Sequence, residues 1–142
     1  MGKLHRTVTV VLAALLAGHV ASAGAQPALS PKNFQALGGE YSQQCADPGS
    51  LRADVGRRSL TLRYRGKSVT ATGIVESKSH LGKSPPKDFT IALVSSVPDK
   101  GKLAFVIFDT PQGTELAVDA DPKVLEAVGL LRLSALRFRR CG

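Results

Sequence analysis

The sequence predicts a mainly β fold, an antiparallel meander forming a small barrel or curled sheet, with one or two short helices and a disulfide joining the two ends of the folded part. Three observations carry this expectation. Residues 60–65 alternate, with Leu60, Leu62 and Tyr64 on one side and Thr61, Arg63 and Arg65 on the other, the period of a strand with one buried face. Segments rich in Val, Ile, Thr and Phe recur at roughly ten-residue spacing between tight-turn signals, the pattern of hairpin-connected strands. The two cysteines, Cys45 and Cys141, bracket the whole patterned region.

The elements follow in order. Lys3 and Arg6, an apolar run over residues 8–17, and the small residues Ala21, Ala23 and Ala25 form the three parts of a secretory signal peptide. A membrane helix needs about 20 apolar residues, and Gly18, His19 and Ser22 interrupt this run first, so no membrane span is expected. Two A-x-A sites compete, ending at Ala23 and at Ala25. The second is preferred because Gln26-Pro27 opens a polar, extended stretch, which sets the expected division at 1–25 signal peptide, 26–39 leader with a short helix, and 40–142 single β-rich domain. No cysteine lies near either site to accept a lipid anchor. The product is expected to be periplasmic or secreted.

In the leader, Ser30-Pro31 is an N-cap and first-turn pair, Phe34 and Leu37 share one helical face, and Gly38-Gly39 stops the helix. After the 60–65 strand, Gly66-Lys67 is a turn and residues 68–76 are a strand of β-branched side chains. Residues 77–88 have no hydrophobic period and contain Pro85-Pro86, which cannot join an interior ladder, so they are an exposed loop. Strands follow at 89–97, 103–108 and 114–120, separated by Pro98-Asp99-Lys100-Gly101 and Pro111-Gln112-Gly113. The unbroken apolar run 103–108 is expected at the centre of the sheet. Asp121-Pro122 begins a second helix with Asp as cap, which Gly129 ends, and Val124, Leu125 and Val128 face inward. Residues 130–141 are read as a final strand returning beside the first. Its two alternation phases, Leu131 with Leu133 and Leu136 with Phe138, are reconciled by a bulge between Leu133 and Leu136.

Cleavage at Ala25 leaves 117 of the 142 residues, enough for one core and not for two. It also takes the 19 basic residues to 17 against 11 acidic ones, a net charge of +6, and leaves His80 as the sole histidine. Two cysteines in an exported chain pair, and closing a loop of roughly 100 residues contributes about 4 to 5 kcal/mol on the chain-entropy account.

Catalytic signatures are sparse. His80 lies near Ser77, Ser79 and Ser84, with no Gly-x-Ser-x-Gly elbow to present a nucleophile. Gly66-Lys67-Ser68 and Gly82-Lys83-Ser84 echo the end of a phosphate-binding loop, yet Thr61 and Ser77 stand where its first glycine belongs. Glu115, Asp119 and Asp121 lack the glycine and spacing of a calcium loop. No cofactor or metal is expected, and the chain reads as a non-enzyme.

Two features remain for binding. Arg57, Arg58, Arg63 and Arg65, with Lys67, fall in one hairpin, and Arg132, Arg137, Arg139 and Arg140 in the last strand. Were these neighbours, they would form a basic surface for a polyanion, anionic lipid or acidic protein. Two tyrosines and no tryptophan supply little base stacking, so nucleic acid is not expected. The 77–88 loop carries Lys78, His80, Lys83, Pro85, Pro86 and Lys87. It is longer than an ordinary hairpin connection, and long loops on rigid scaffolds are disproportionately functional. The leading expectation is therefore an exported cell-envelope binding protein, of inhibitor or immunity type, that engages a partner enzyme through this loop. A periplasmic carrier of a small molecule or anionic ligand, lined by Leu60, Leu62, Phe89, Ile91, Phe105 and Ile107, is the alternative. An enzyme working through His80 is the third reading.

Overall fold

The computed structural model describes residues 26–133 and 137–142. In chain order the elements are α1 (Pro31–Leu37), β1 (Gly39–Ser42), β2 (Arg52–Val55), β3 (Ser59–Tyr64), β4 (Lys67–Ser77), β5 (Phe89–Val97), β6 (Gly101–Thr110), β7 (Gly113–Ala120), α2 (Pro122–Ala127) and β8 (Arg137–Arg140). The eight strands pair antiparallel with their sequence neighbours, and β8 returns to β1, so the meander is a closed barrel. Of the two architectures expected, closure is the one observed.

Alternation does the sorting. Leu60 and Leu62 on β3, Val69 and Ala71 on β4, Ile91 and Leu93 on β5, and Leu103, Phe105 and Ile107 on β6 all point inward and join one buried cluster with Leu116 and Phe138. The interior is thus filled by side chains, the normal state of a narrow barrel. Residues 103–108 are buried on both faces, as the unbroken apolar run implies, although a closed barrel has no central strand. The outward Phe108 is covered by Phe89 and by the Arg137 guanidinium, which lies 3.3 Å from its ring centroid.

The helices close the two openings. Leu37 of α1 enters one, where the Tyr41 hydroxyl donates to its carbonyl at 2.8 Å. Burial pushes the Tyr41 phenol up, against the opposing pull of Arg140. Phe34 does not follow Leu37 inward: it is 37% exposed, its ring lying over Gly38, where a Cβ would collide with it. At the other opening Val124, Leu125 and Val128 are buried as expected. Asp121 does not cap α2 through its side chain. Its Oδ2 instead accepts the Lys102 N–H at 2.7 Å.

Two further features add to or differ from the expected elements. The polar stretch before α1 is built into the wall: Leu29 is 2% exposed in the core, its N–H donates to the Arg57 carbonyl, and Ile74 donates to the Pro27 carbonyl, each at 2.8 Å. The last strand is Arg137–Arg140, and residues 130–133 stand outside any strand. Leu130 and Leu133 pack on the core from outside any strand, and Leu131 is 95% exposed. The bulge expected between Leu133 and Leu136 falls on residues 134–136, outside the described residues. A register shift is present in β4, between Thr72 and Val75, where Gly73 takes a φ of 80° and the Ser95 hydroxyl donates to the Thr72 carbonyl.

The seam that closes the barrel is its shortest ladder. β8 meets β1 at Tyr41 with Arg140 and Ser42 with Arg139, and the Cys141 N–H adds a 2.8 Å bond to the Glu40 carbonyl. Beside it stands the Cys45–Cys141 disulfide, with the two Cα atoms 5.5 Å apart.

Candidate functional site

The connection between β4 and β5, residues 78–88, emerges at the α1 end of the barrel. It is exposed along most of its length and has a defined internal structure. The Ser77 hydroxyl accepts the Ser79 N–H at 3.1 Å, and Lys83 donates to the His80 carbonyl at 2.9 Å. Between those bridged residues Leu81 and Gly82 take φ values of 51° and 75°, a tight turn with two left-handed residues. Asp88, also left-handed, accepts the Asp109 N–H at 2.9 Å and so fastens the base of the loop to β6.

Of the residues singled out in this loop, Lys78, Lys83, Pro85, Pro86 and Lys87 are exposed. His80 is half-buried. Its ring meets Phe89 edge-on at 5.2 Å, Phe89 meets Phe108 at 6.4 Å, and Arg137 covers Phe108. These four side chains form a continuous column on the outer wall from the loop to β8. His80 Nδ1 is buried and makes no hydrogen bond; the oriented donor or acceptor that a general base requires is not on that nitrogen.

Sequence reasoning missed the cleft beside the loop. A recess of about 240 Å3 opens between α1 and the ends of β5, β6 and β7, with Asn33, Lys78, Thr90, Asp109 and Thr114 around a floor of Leu37, Ile91 and Ile107. Glu76 stands near its α1 side and accepts the Ser30 N–H at 3.0 Å. That backbone hydrogen bond, with further ones from Asn33 and Ser30 side chains and the Lys78 charge, holds the Glu76 carboxyl below the ordinary glutamate range against a smaller opposing effect of burial.

The basic residues do not form one surface. β1 and β2 separate β3 from β8, and acids interleave the arginines. Arg63 binds Glu40 at 2.8 Å and Asp54 at 3.1 Å, Arg52 binds Glu40 at 3.3 Å, and Arg137 lies 3.6 Å from Glu115. Burial pushes the Asp54 carboxyl up, although Arg63 draws it down. Arg140 is structural, donating to the Ala36 and Gly38 carbonyls. Arg57 and Arg58 lie exposed in the β2–β3 turn, and Arg139 lies exposed on β8. Arg65, in the β3–β4 turn, and Arg132 both line a separate cleft at the α2 end.

Among the described residues no three His, Cys, Asp or Glu side chains cluster as metal ligands, and no helix is long and apolar enough to cross a membrane. No protein-family model, curated protein or solved structure matches this chain.

Proposed function

We propose that this protein is an exported, non-catalytic binding protein of inhibitor or immunity type, presenting residues 78–88 to a partner enzyme in the cell envelope or outside the cell. The observation that carries the reading is the loop itself: a turn-stabilised projection anchored at both ends on a closed, disulfide-bonded barrel. Such a loop loses little conformational entropy on docking, which leaves more of its contact energy as affinity. Lys78, Lys83 and Lys87 give it a positive face suited to an acidic cleft. The disulfide is compatible with an oxidising compartment, and the N-terminal pattern of Lys3, Arg6 and the apolar run supports export. The filled interior weighs against a ligand held inside the barrel, since Leu60, Leu62, Ile91, Phe105 and Ile107 are each buried in the core.

The test uses the oxidised chain from Gln26, immobilised and exposed to envelope and secreted fractions at low and moderate salt. One retained protein that survives moderate salt and is lost when residues 79–87 are replaced by an Asn-Gly turn supports the reading. Retention that ignores the loop replacement, or retention only of polyanions that salt removes, overturns it.

A further inference from the structure

The arginine cleft at the α2 end is independent of the loop and asks for a different kind of ligand. It has a volume of about 360 Å3 and lies between the β1–β2 connection, the β3–β4 turn and residues 130–133. Leu51, Leu130 and Leu133 give it an apolar floor around the buried Phe138, and Ser42, Gln43, Gln44 and Ser50 line the rest. Its two cations, Arg65 and Arg132, have no ion-pair partner among the described residues, whereas Arg52, Arg63, Lys102 and Arg137 all do. Asp47 is the lining acid, and its Oδ1 already accepts the Gly49 N–H at 2.9 Å.

Arg65 is also costly where it stands. It takes a φ of 48° before Gly66 at 80°, in a two-residue hairpin turn that Asn-Gly or Asp-Gly would form with less strain. The backbone of the turn therefore has no need of arginine. What arginine supplies is a guanidinium held 5.0 Å from the Tyr64 ring centroid at the edge of the cleft. Strain kept in this way at the rim of a recess is a pointer to binding.

We propose that this cleft binds a small amphipathic carboxylate, with its head group between Arg65 and Arg132 and its hydrocarbon body on the apolar floor. Guanidinium groups match a carboxylate with paired N–H donors, and the floor rewards an apolar body that a bare inorganic anion lacks. At about 30 Å3 for one water molecule in the liquid, the volume matches roughly a dozen groups of that size. Decanoate is a probe of that size.

The experiment titrates the oxidised protein from Gln26 with sodium decanoate below its micelle concentration, with decanol, and with inorganic phosphate. Binding is followed by calorimetry and by amide NMR shifts. Decanoate is expected to saturate one site, shifting the amides of residues 64–67 and 130–133, with decanol and phosphate each at least tenfold weaker. Arg65→Asn, which keeps a favoured turn, and Arg132→Gln are each expected to weaken decanoate at least tenfold, while the loop-replaced protein binds it normally. The proposal is overturned by absent or unsaturable decanoate binding, by equal binding of decanol or phosphate, by wild-type affinity in both arginine variants, or by loss of binding on loop replacement.

Discussion

Glu76 and Arg65 show how single side chains give this molecule measurable properties. Because hydrogen bonding from Ser30 lowers the folded-state pKa of Glu76, its contribution to stability is complete above the ordinary glutamate range. It is lost as the pH falls through the lower folded value, where the native carboxylate must take up its proton. Glu76→Gln is expected to flatten that part of an acid-melting profile while leaving the neutral-pH fold intact, as circular dichroism across the acid range would report. The raised Asp54 carboxyl acts with the opposite sign: its stabilising effect is present while it is protonated and falls as the pH rises from the unfolded to the folded value. Profiles should therefore be compared between variants rather than read alone. At position 65 the left-handed backbone costs an L-residue about 1 kcal/mol, and Arg65→Asn is expected to recover part of it as a higher melting temperature. A melting temperature that falls instead would mean that the Tyr64 stack outweighs the strain.

Among elements, what could be seen in the sequence depended on length. The strands β3 and β6 are long enough for alternation or an apolar run to declare them, and α2 announces itself through Asp121-Pro122 and Gly129. By contrast β1 and β2 have four residues each. With only Tyr41 in one, and Ala53 and Val55 in the other, pointing inward, they carry too few apolar positions to establish a period. The last strand was read as too long because Leu130 and Leu133 pack half-buried on the core without being in a ladder. Residues 26–30 misled for the converse reason, since one leucine carries no pattern yet packs into the core, its N–H bonded to the Arg57 carbonyl just before β3. Leu29→Ala is accordingly expected to cost about 2 to 3 kcal/mol, as a buried leucine truncation does, measurable as a lower urea midpoint; a change under 0.5 kcal/mol would deny the strap its structural role. The same logic covers the candidate site. Pro85-Pro86 made the loop legible, whereas the adjoining cleft draws Asn33, Thr90, Asp109 and Thr114 from four separate elements, and no local motif links them.

For the whole molecule, the decisive contact is between its ends. The bond between Cys45 and Cys141 spans 96 residues of sequence, and Cys45→Ser with Cys141→Ser is expected to cost about 4 to 5 kcal/mol on the loop-entropy account. Equilibrium denaturation of the oxidised and double-variant chains would measure it, and a loss below 1 kcal/mol would show that the seam holds without its clasp. That seam rests on two residue pairs and one further backbone bond. Once it parts, a barrel with no free edges becomes a sheet with two, β1 and β8, each offering unpaired N–H and carbonyl groups to another chain. Reduction is thus expected to change the solution behaviour of this protein as well as its stability: light scattering of the reduced form should rise with concentration while the oxidised form stays monodisperse. On this reasoning the Cys45–Cys141 bond guards the barrel against self-association as well as unfolding, because it holds shut the one seam whose opening would expose two strand edges.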